Sequence, residues 1–141
     1  MKGNLLLDIK GEIAETNQYG DGTRYAVIIG KDENSYRAHI DEIFESIKEN
    51  PFLDGITVLG KEPFEYAKSL YVLLKRLHEI GLDSIVESAY TLSELKEKAK
   101  DDEDVRALLN ETDTLIDGTF VKAEDEDAEI KGIFDLKGTT F

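Results

Sequence analysis

Between Tyr25 and Gly118 the chain alternates two hydrophobic periods, and this alternation limits the fold more than any other feature. YAVIIG (25–30), GITVL (55–59), Leu82 to Ala89 and TLIDG (114–118) are short apolar or β-branched runs, as buried strands require. Between them, apolar residues recur every three or four positions. Ile40, Ile43, Phe44 and Ile47 make one stripe; Phe64, Ala67, Leu70, Tyr71, Leu74 and Leu77 make another. Leu92 and Leu95, then Val105, Leu108 and Leu109, continue helix on either side of Asp101. Strands that alternate with helices pair in parallel through helical crossovers, so the expected class is α/β with a mostly parallel sheet. A chain of 141 residues is the length of one domain, expected over 1–141.

Local signals set the boundaries. Helix is expected from His39 to Asn50, stopped by Pro51, and from Glu62 to Ile80, with Pro63 in the first turn and Gly81 at C′. Thr91 followed three residues later by Glu94 is a capping-box signature. NLLLDIKGEIA (4–14) reads as strand, with a turn at Lys10-Gly11, giving an antiparallel N-terminal strand or hairpin. Beyond Thr119 the pattern weakens, with short strands expected at Thr119–Lys122 and Gly132–Leu136.

Composition removes several classes of function. The net charge of −14 repels polyanions, so nucleic acid is not an expected partner. No apolar run approaches the ~20 residues of a membrane span, and MKGNLLLDIKGE is too charged for a signal peptide, so a cytoplasmic location away from membranes is expected. The acidic runs Asp101–Asp104 and Glu124–Glu129 lack the spacing of a calcium loop and read as solvated turns. The chain has no cysteine, which excludes disulfides, thiolate metal sites and cysteine nucleophiles. His39 and His78 stand too far apart in sequence to give a metal-ligand spacing.

GITVLGKEPF (55–64) superficially fits a phosphate-binding G-x-x-x-x-G-K loop. Such a loop needs both glycines in one turn, so that successive N–H groups can cradle phosphate. Here Ile56, Thr57, Val58 and Leu59 are strand formers, and an extended strand holds the glycines ~17 Å apart. Glu62 also stands where a magnesium-binding Ser or Thr is required. What remains is a strand, the turn Gly60-Lys61-Glu62-Pro63, and a helix. Turns at the C-terminal ends of parallel strands are where α/β folds bind ligands.

NPFLDGITVLGKEPFEYAKSLYVLLKRLHEIGLD (50–83) resembles the central part of the anaerobic ribonucleoside-triphosphate reductase activating proteins of the radical S-adenosylmethionine superfamily. Leu59-Gly60-Lys61-Glu62-Pro63 occupies the place of that family's S-G-G-E-P. YGDGTRYAVIIG (19–30), AYTLSEL (89–95), TLIDGTFV (114–121) and KGTT (137–140) resemble further family segments in the right order. The resemblance implies a shortened, open partial (β/α) barrel of the radical S-adenosylmethionine type. The departures are equally informative. The family's Cys-x3-Cys-x2-Cys cluster loop is replaced by KDENSYRAHIDEI, the second glycine of the motif is Lys61, and Glu87-Ser88-Ala89-Tyr90 replaces Y-T-G-Y.

The resemblance therefore implies a non-catalytic, cluster-less relative without iron–sulfur cofactor, partner-binding or regulatory, whose partner is a glycyl-radical enzyme or its activator. Two alternatives stand beside it. One is a binder or enzyme for an S-adenosylmethionine- or nucleotide-like small molecule, with a site rebuilt at the strand ends. The other is an engineered or degenerate scaffold without activity. The candidate ligand contacts are Arg24, Gly60, Lys61, Glu62, Glu87 and Asp117. Lys61 and Glu87 would lie at the ends of neighbouring strands, either as a salt bridge that plugs the old site or as two solvent-exposed charges. Asp21-Gly22-Thr23-Arg24 reads as a tight polar turn feeding the first strand or, near the mouth of the site, as a segment whose Arg24 faces an anionic ligand or a partner chain. Asp117-Gly118 would form a strand-end turn or a remnant of the site rim. Tyr66 and Tyr71 read as core and rim packing, and Lys75-Arg76 as a solvated helix face.

Overall fold

The computed structural model describes residues 5–118 and 132–141. The expected strand at Thr119–Lys122 and the acidic run Glu124–Glu129 lie outside them. Strand β1 (Leu6–Thr16), β2 (Arg24–Ile29), β3 (Tyr36–His39), β4 (Gly55–Gly60), β5 (Asp83–Glu87), β6 (Thr114–Ile116) and β7 (Ile133–Asp135) form one open sheet in the order β3-β1-β2-β4-β5-β6-β7. The helices among the described residues are α1 (Ile40–Lys48), α2 (Ala67–Glu79), α3 (Leu92–Asp101) and α4 (Glu103–Asn110). The α/β class expected from sequence is therefore found.

The expectation of a mostly parallel sheet is half met. The central strands β2, β4, β5 and β6 run parallel, but β1 pairs antiparallel with β2 and with β3, and β6 pairs antiparallel with β7. Strand β3 has no counterpart among the strands expected from sequence. Only Ala38 of its four residues is buried, so YRAH carries no apolar run to announce it. Strand β1 is continuous, and Lys10-Gly11 falls at a register shift against β2 instead of forming a turn.

Period explains the layering. Leu7, Ile9, Tyr25, Val27, Ile29, Ile56, Val58, Val86 and Leu115 alternate along their strands, so all reach one face of the sheet, where they join the helix stripes in one core. In α1 the buried residues are the predicted Ile40, Ile43, Phe44 and Ile47. His39 and Glu42 close a capping box at its start. The second helix begins differently from expectation. Pro63–Tyr66 is a 3₁₀ turn, and its last residue, Tyr66 (φ −115°, ψ 33°), departs from helical geometry as the N-cap of α2. Leu73 takes the fully buried place and Tyr71 is only half-buried.

Thr91 and Glu94 form the predicted capping box of α3. Asp102 ends α3 and accepts the Asp104 and Val105 N–H groups at the start of α4, so the first acidic run is a helix junction. Arg76 is not simply solvated: it pairs with Asp41 at 2.6 Å and lies over the Phe44 ring, with its guanidinium carbon 4.1 Å from the centroid. No helix among the described residues is long and apolar enough to cross a membrane.

The opposite face of the sheet carries Arg24, Thr57, Asp83, Ile85, Glu87 and Ile116 by the same alternation. The loop between β1 and β2 folds over part of it, since the Thr57 hydroxyl donates to the Tyr19 carbonyl at 2.8 Å.

Candidate functional site

The C-terminal ends of β2, β4, β5 and β6 lie together, because the four strands are parallel and in continuous register. They bring Gly60, Lys61, Glu62, Glu87 and Asp117 to one rim. Gly60 adopts φ +110°, and a Cβ there would collide with the Ile29 carbonyl oxygen and sit 2.6 Å from the Ile29 nitrogen. Its freedom lets the chain leave β4 at once, while the Lys61 N–H still donates to the Ile29 carbonyl at 2.9 Å.

Glu62 then turns inward. It is 7 % exposed. Its Oε1 accepts the Ala89 N–H at 2.9 Å and its Oε2 accepts the Phe64 N–H at 2.9 Å. The Ser88 hydroxyl, 3.0 Å from both oxygens, donates between them. The same hydroxyl accepts the Tyr90 N–H at 3.0 Å. A carboxylate at the end of β4 thus caps the following 3₁₀ turn and holds the chain leaving β5.

Asp117 does the equivalent work from β6. It is 1 % exposed, and its Oδ2 accepts the Leu92 N–H at the start of α3 at 2.7 Å. The next residue, Gly118, donates its N–H to the Tyr90 carbonyl at 2.8 Å. The turn after β5 is consequently held from both sides, by Glu62 and by the end of β6.

Lys61 is exposed, and no ion pair joins it to Glu87 among the described residues. Of the two arrangements expected from sequence, the salt bridge that would plug the rim does not form. Glu87 is half-buried beside Ile116, its partner in register, and burial pushes its carboxyl above the usual range. Tyr66 donates its hydroxyl to Asp8 of β1 at 2.7 Å. Burial and this carboxylate push the Tyr66 phenol up to about 12.

Arg24 is not part of this rim. It starts β2, in register with Gly55 at the start of β4, which in turn pairs with Asp83 at the start of β5. The side chain crosses the bare backbone of Gly55 to reach Asp83 Oδ1 at 2.5 Å. Nε donates to Thr57 Oγ1 and Nη2 to the Ile56 carbonyl, both at 2.8 Å, while Nη1 donates to the Asp21 carbonyl at 2.9 Å. At 1 % exposure it braces the N-terminal ends of three strands. The length of a strand separates it from the mouth, where the ligand-facing reading of the sequence put it, and it sits instead where the turn feeds β2.

Ser88 and Asp83 are not among the residues that the sequence singles out. Each becomes important only through a partner, Glu62 or Arg24, that lies 26 or 59 residues earlier.

The model of a family described as a 4Fe-4S single cluster domain matches residues 20–133. The chain belongs to the 4Fe-4S single cluster domain family. This agrees with the iron–sulfur ancestry that the sequence resemblance implies. No curated protein matches the chain.

The residues of this family member do not fit the family's cluster. Protein iron–sulfur clusters of this kind are held by cysteine thiolates, and this chain has none. The link after β2 is also closed on itself. Asp32 Oδ1 accepts the Asn34 N–H at 2.8 Å, its other oxygen pairs with Lys10 at 3.7 Å, and the Ser35 hydroxyl donates to the Asp32 carbonyl at 2.8 Å. Among the described residues no three His, Asp or Glu side chains are grouped as a metal site.

Proposed function

We propose that this member of the 4Fe-4S single cluster domain family works without a cluster, as a non-catalytic, partner-binding or regulatory relative of the anaerobic ribonucleotide reductase activating proteins. Its framework is a shortened, open portion of their parallel barrel. The observation that carries the reading is Glu62. It holds the place of the acidic residue in the family's strand-end motif, and here both of its oxygens are engaged by Phe64, Ser88 and Ala89 of the same chain. A rim whose polar groups satisfy one another supports a structural use of the strand ends. The missing thiolates close the family's route to radical initiation. The partner is a glycyl-radical enzyme or its activating protein.

Two measurements on the full chain test this. The first is anaerobic incubation with ferrous iron and sulfide, followed by iron analysis and thermal unfolding with S-adenosylmethionine. Ligand at a hundred times its dissociation constant would add about 2.7 kcal/mol, an easily resolved rise. The expected result is no retained iron, no rise and no cleavage of S-adenosylmethionine. The second is gel filtration with an anaerobic ribonucleotide reductase and its activating protein, in which co-elution with one of them is expected. Retained cluster iron with cleavage, or migration alone in the presence of both proteins, would overturn the reading.

A further inference from the structure

A cavity of about 310 Å³ lies on the face of the sheet opposite the helices, toward the N-terminal ends of the parallel strands. Its lining meets the strand-end rim only through Ile116, which neighbours Glu87 and Asp117, and contains none of the rim residues, so a ligand here does not depend on the proposed function. Three isoleucines line it: Ile85 of β5, Ile116 of β6 and Ile133 of β7. They are next-neighbour strands in one sheet, so their side chains form a continuous apolar wall. Ile133 is 48 % exposed, which leaves part of this wall in water.

The cavity also has a cationic side. Arg24 lines it, although the residue is only 1 % exposed. Its Nε and both hydrogens of Nη2 are engaged by Thr57, Ile56 and Asp83, and one hydrogen of Nη1 by Asp21. A guanidinium carries five N–H donors, so one on Nη1 has no partner among the described residues. Lys137, also in the lining, makes no ion pair among the described residues. Two carboxylates border the same space. Asp83 is paired with Arg24 at 2.5 Å, and Asp21 is an exposed residue at the edge. The lining is neutral overall, two cations against two carboxylates, and Lys137 supplies the cation that is not engaged in an ion pair among the described residues.

We propose that this cavity binds a small apolar monocarboxylate, with its hydrocarbon against Ile85, Ile116 and Ile133 and its carboxylate received by Lys137 and the remaining Arg24 N–H. The size supports a small molecule, because ligand pockets begin at about 300 Å³. The chemistry supports an acid, because a donor on a buried guanidinium and an unpaired ammonium are both completed by an anionic acceptor.

The test uses hexanoate and its neutral isostere hexanamide as probes, titrated into the full isotope-labelled chain and followed by amide chemical shifts. Hexanoate should give saturable shifts at Ile85, Ile116 and Lys137. Hexanamide should bind about tenfold more weakly, the effect of losing a charge-assisted hydrogen bond. Lys137→Gln should remove most of that preference. Ile133→Trp, at an exposed edge position that does not threaten folding, should fill the cavity and abolish binding of both probes. Equal affinity for acid and amide, the absence of saturable shifts, or shifts unaffected by Ile133→Trp would each overturn the proposal.

Discussion

Replacing Glu62 with Gln tests whether the strand-end rim is held together by its own carboxylate. The substitution keeps the shape of the side chain but leaves one oxygen where there were two. That oxygen can accept from either the Phe64 or the Ala89 N–H, both of which are 2.9 Å from the carboxylate now. The new amide nitrogen then faces the other N–H, donor against donor. Hydrogen bonds to charged groups contribute about 1.5–3 kcal/mol each, and a buried donor left unpaired costs a similar amount. At 7 % exposure solvent cannot rescue it fully. The expected loss is about 2–3 kcal/mol, allowing for partial compensation by the Ser88 hydroxyl. For a domain of this size that lowers the midpoint of thermal unfolding by roughly 6–12 °C. Differential scanning calorimetry of the two proteins, with urea titration as a check, measures it. A double-mutant cycle with Ser88→Ala should show coupling of about 1 kcal/mol, since the two side chains touch. An unchanged midpoint with no coupling would refute the reasoning, because Glu62 would then contribute nothing to the fold and would be free for a ligand.

Two further predictions concern the other end of the strands. The His78 ring is held between Glu111 (Nδ1, 2.6 Å) and Asp113 (Nε2, 2.8 Å); burial by itself would lower its basicity, but hydrogen bonds and charge from both carboxylates outweigh burial and raise it. A histidine bound more tightly in its charged form stabilises fully below its ordinary value of about 6.5, and that contribution disappears as pH rises through the raised folded value. Unfolding midpoints measured from pH ~6 to ~9 should therefore fall more steeply in the wild type than in His78→Gln, and parallel curves would count against the bridge. Gly55→Ala places a Cβ 2.5 Å from the Asp83 carbonyl oxygen and 2.6 Å from Arg24 Nη2, so the guanidinium must move. A loss of about 3 kcal/mol is expected from urea unfolding, and a loss below ~0.5 kcal/mol would show that Arg24 does not brace the sheet as described.

Much of the fold is legible in sequence because its signals are local. The stripe Ile40, Ile43, Phe44 and Ile47 marks both the existence of α1 and its buried face, since period and side-chain direction are properties of the helix itself. Thr91 and Glu94 announce the start of α3 for the same reason. YRAH does not announce β3, because an edge strand buries little and its pairing with β1 depends on residues 30 or so positions earlier in the chain. Pro63 suits the first turn of one long helix; the structure has a 3₁₀ turn there and then α2.

The candidate site divides along the same line. By itself the sequence determined the α/β alternation, the strand ends where Gly60, Lys61, Glu62, Glu87 and Asp117 gather, and the absence of any thiolate to hold a cluster. These come from residue identity and short-range period. Only the tertiary structure decided what each charge does. It gave Glu62 to Ser88 and Ala89, left Lys61 and Glu87 apart, and carried Arg24 across Gly55 to Asp83 at the opposite end of the strands. Partner choice is a matter of register between strands and of which small residue leaves a path open. Those are set when segments far apart in sequence pack together, and no local pattern encodes them.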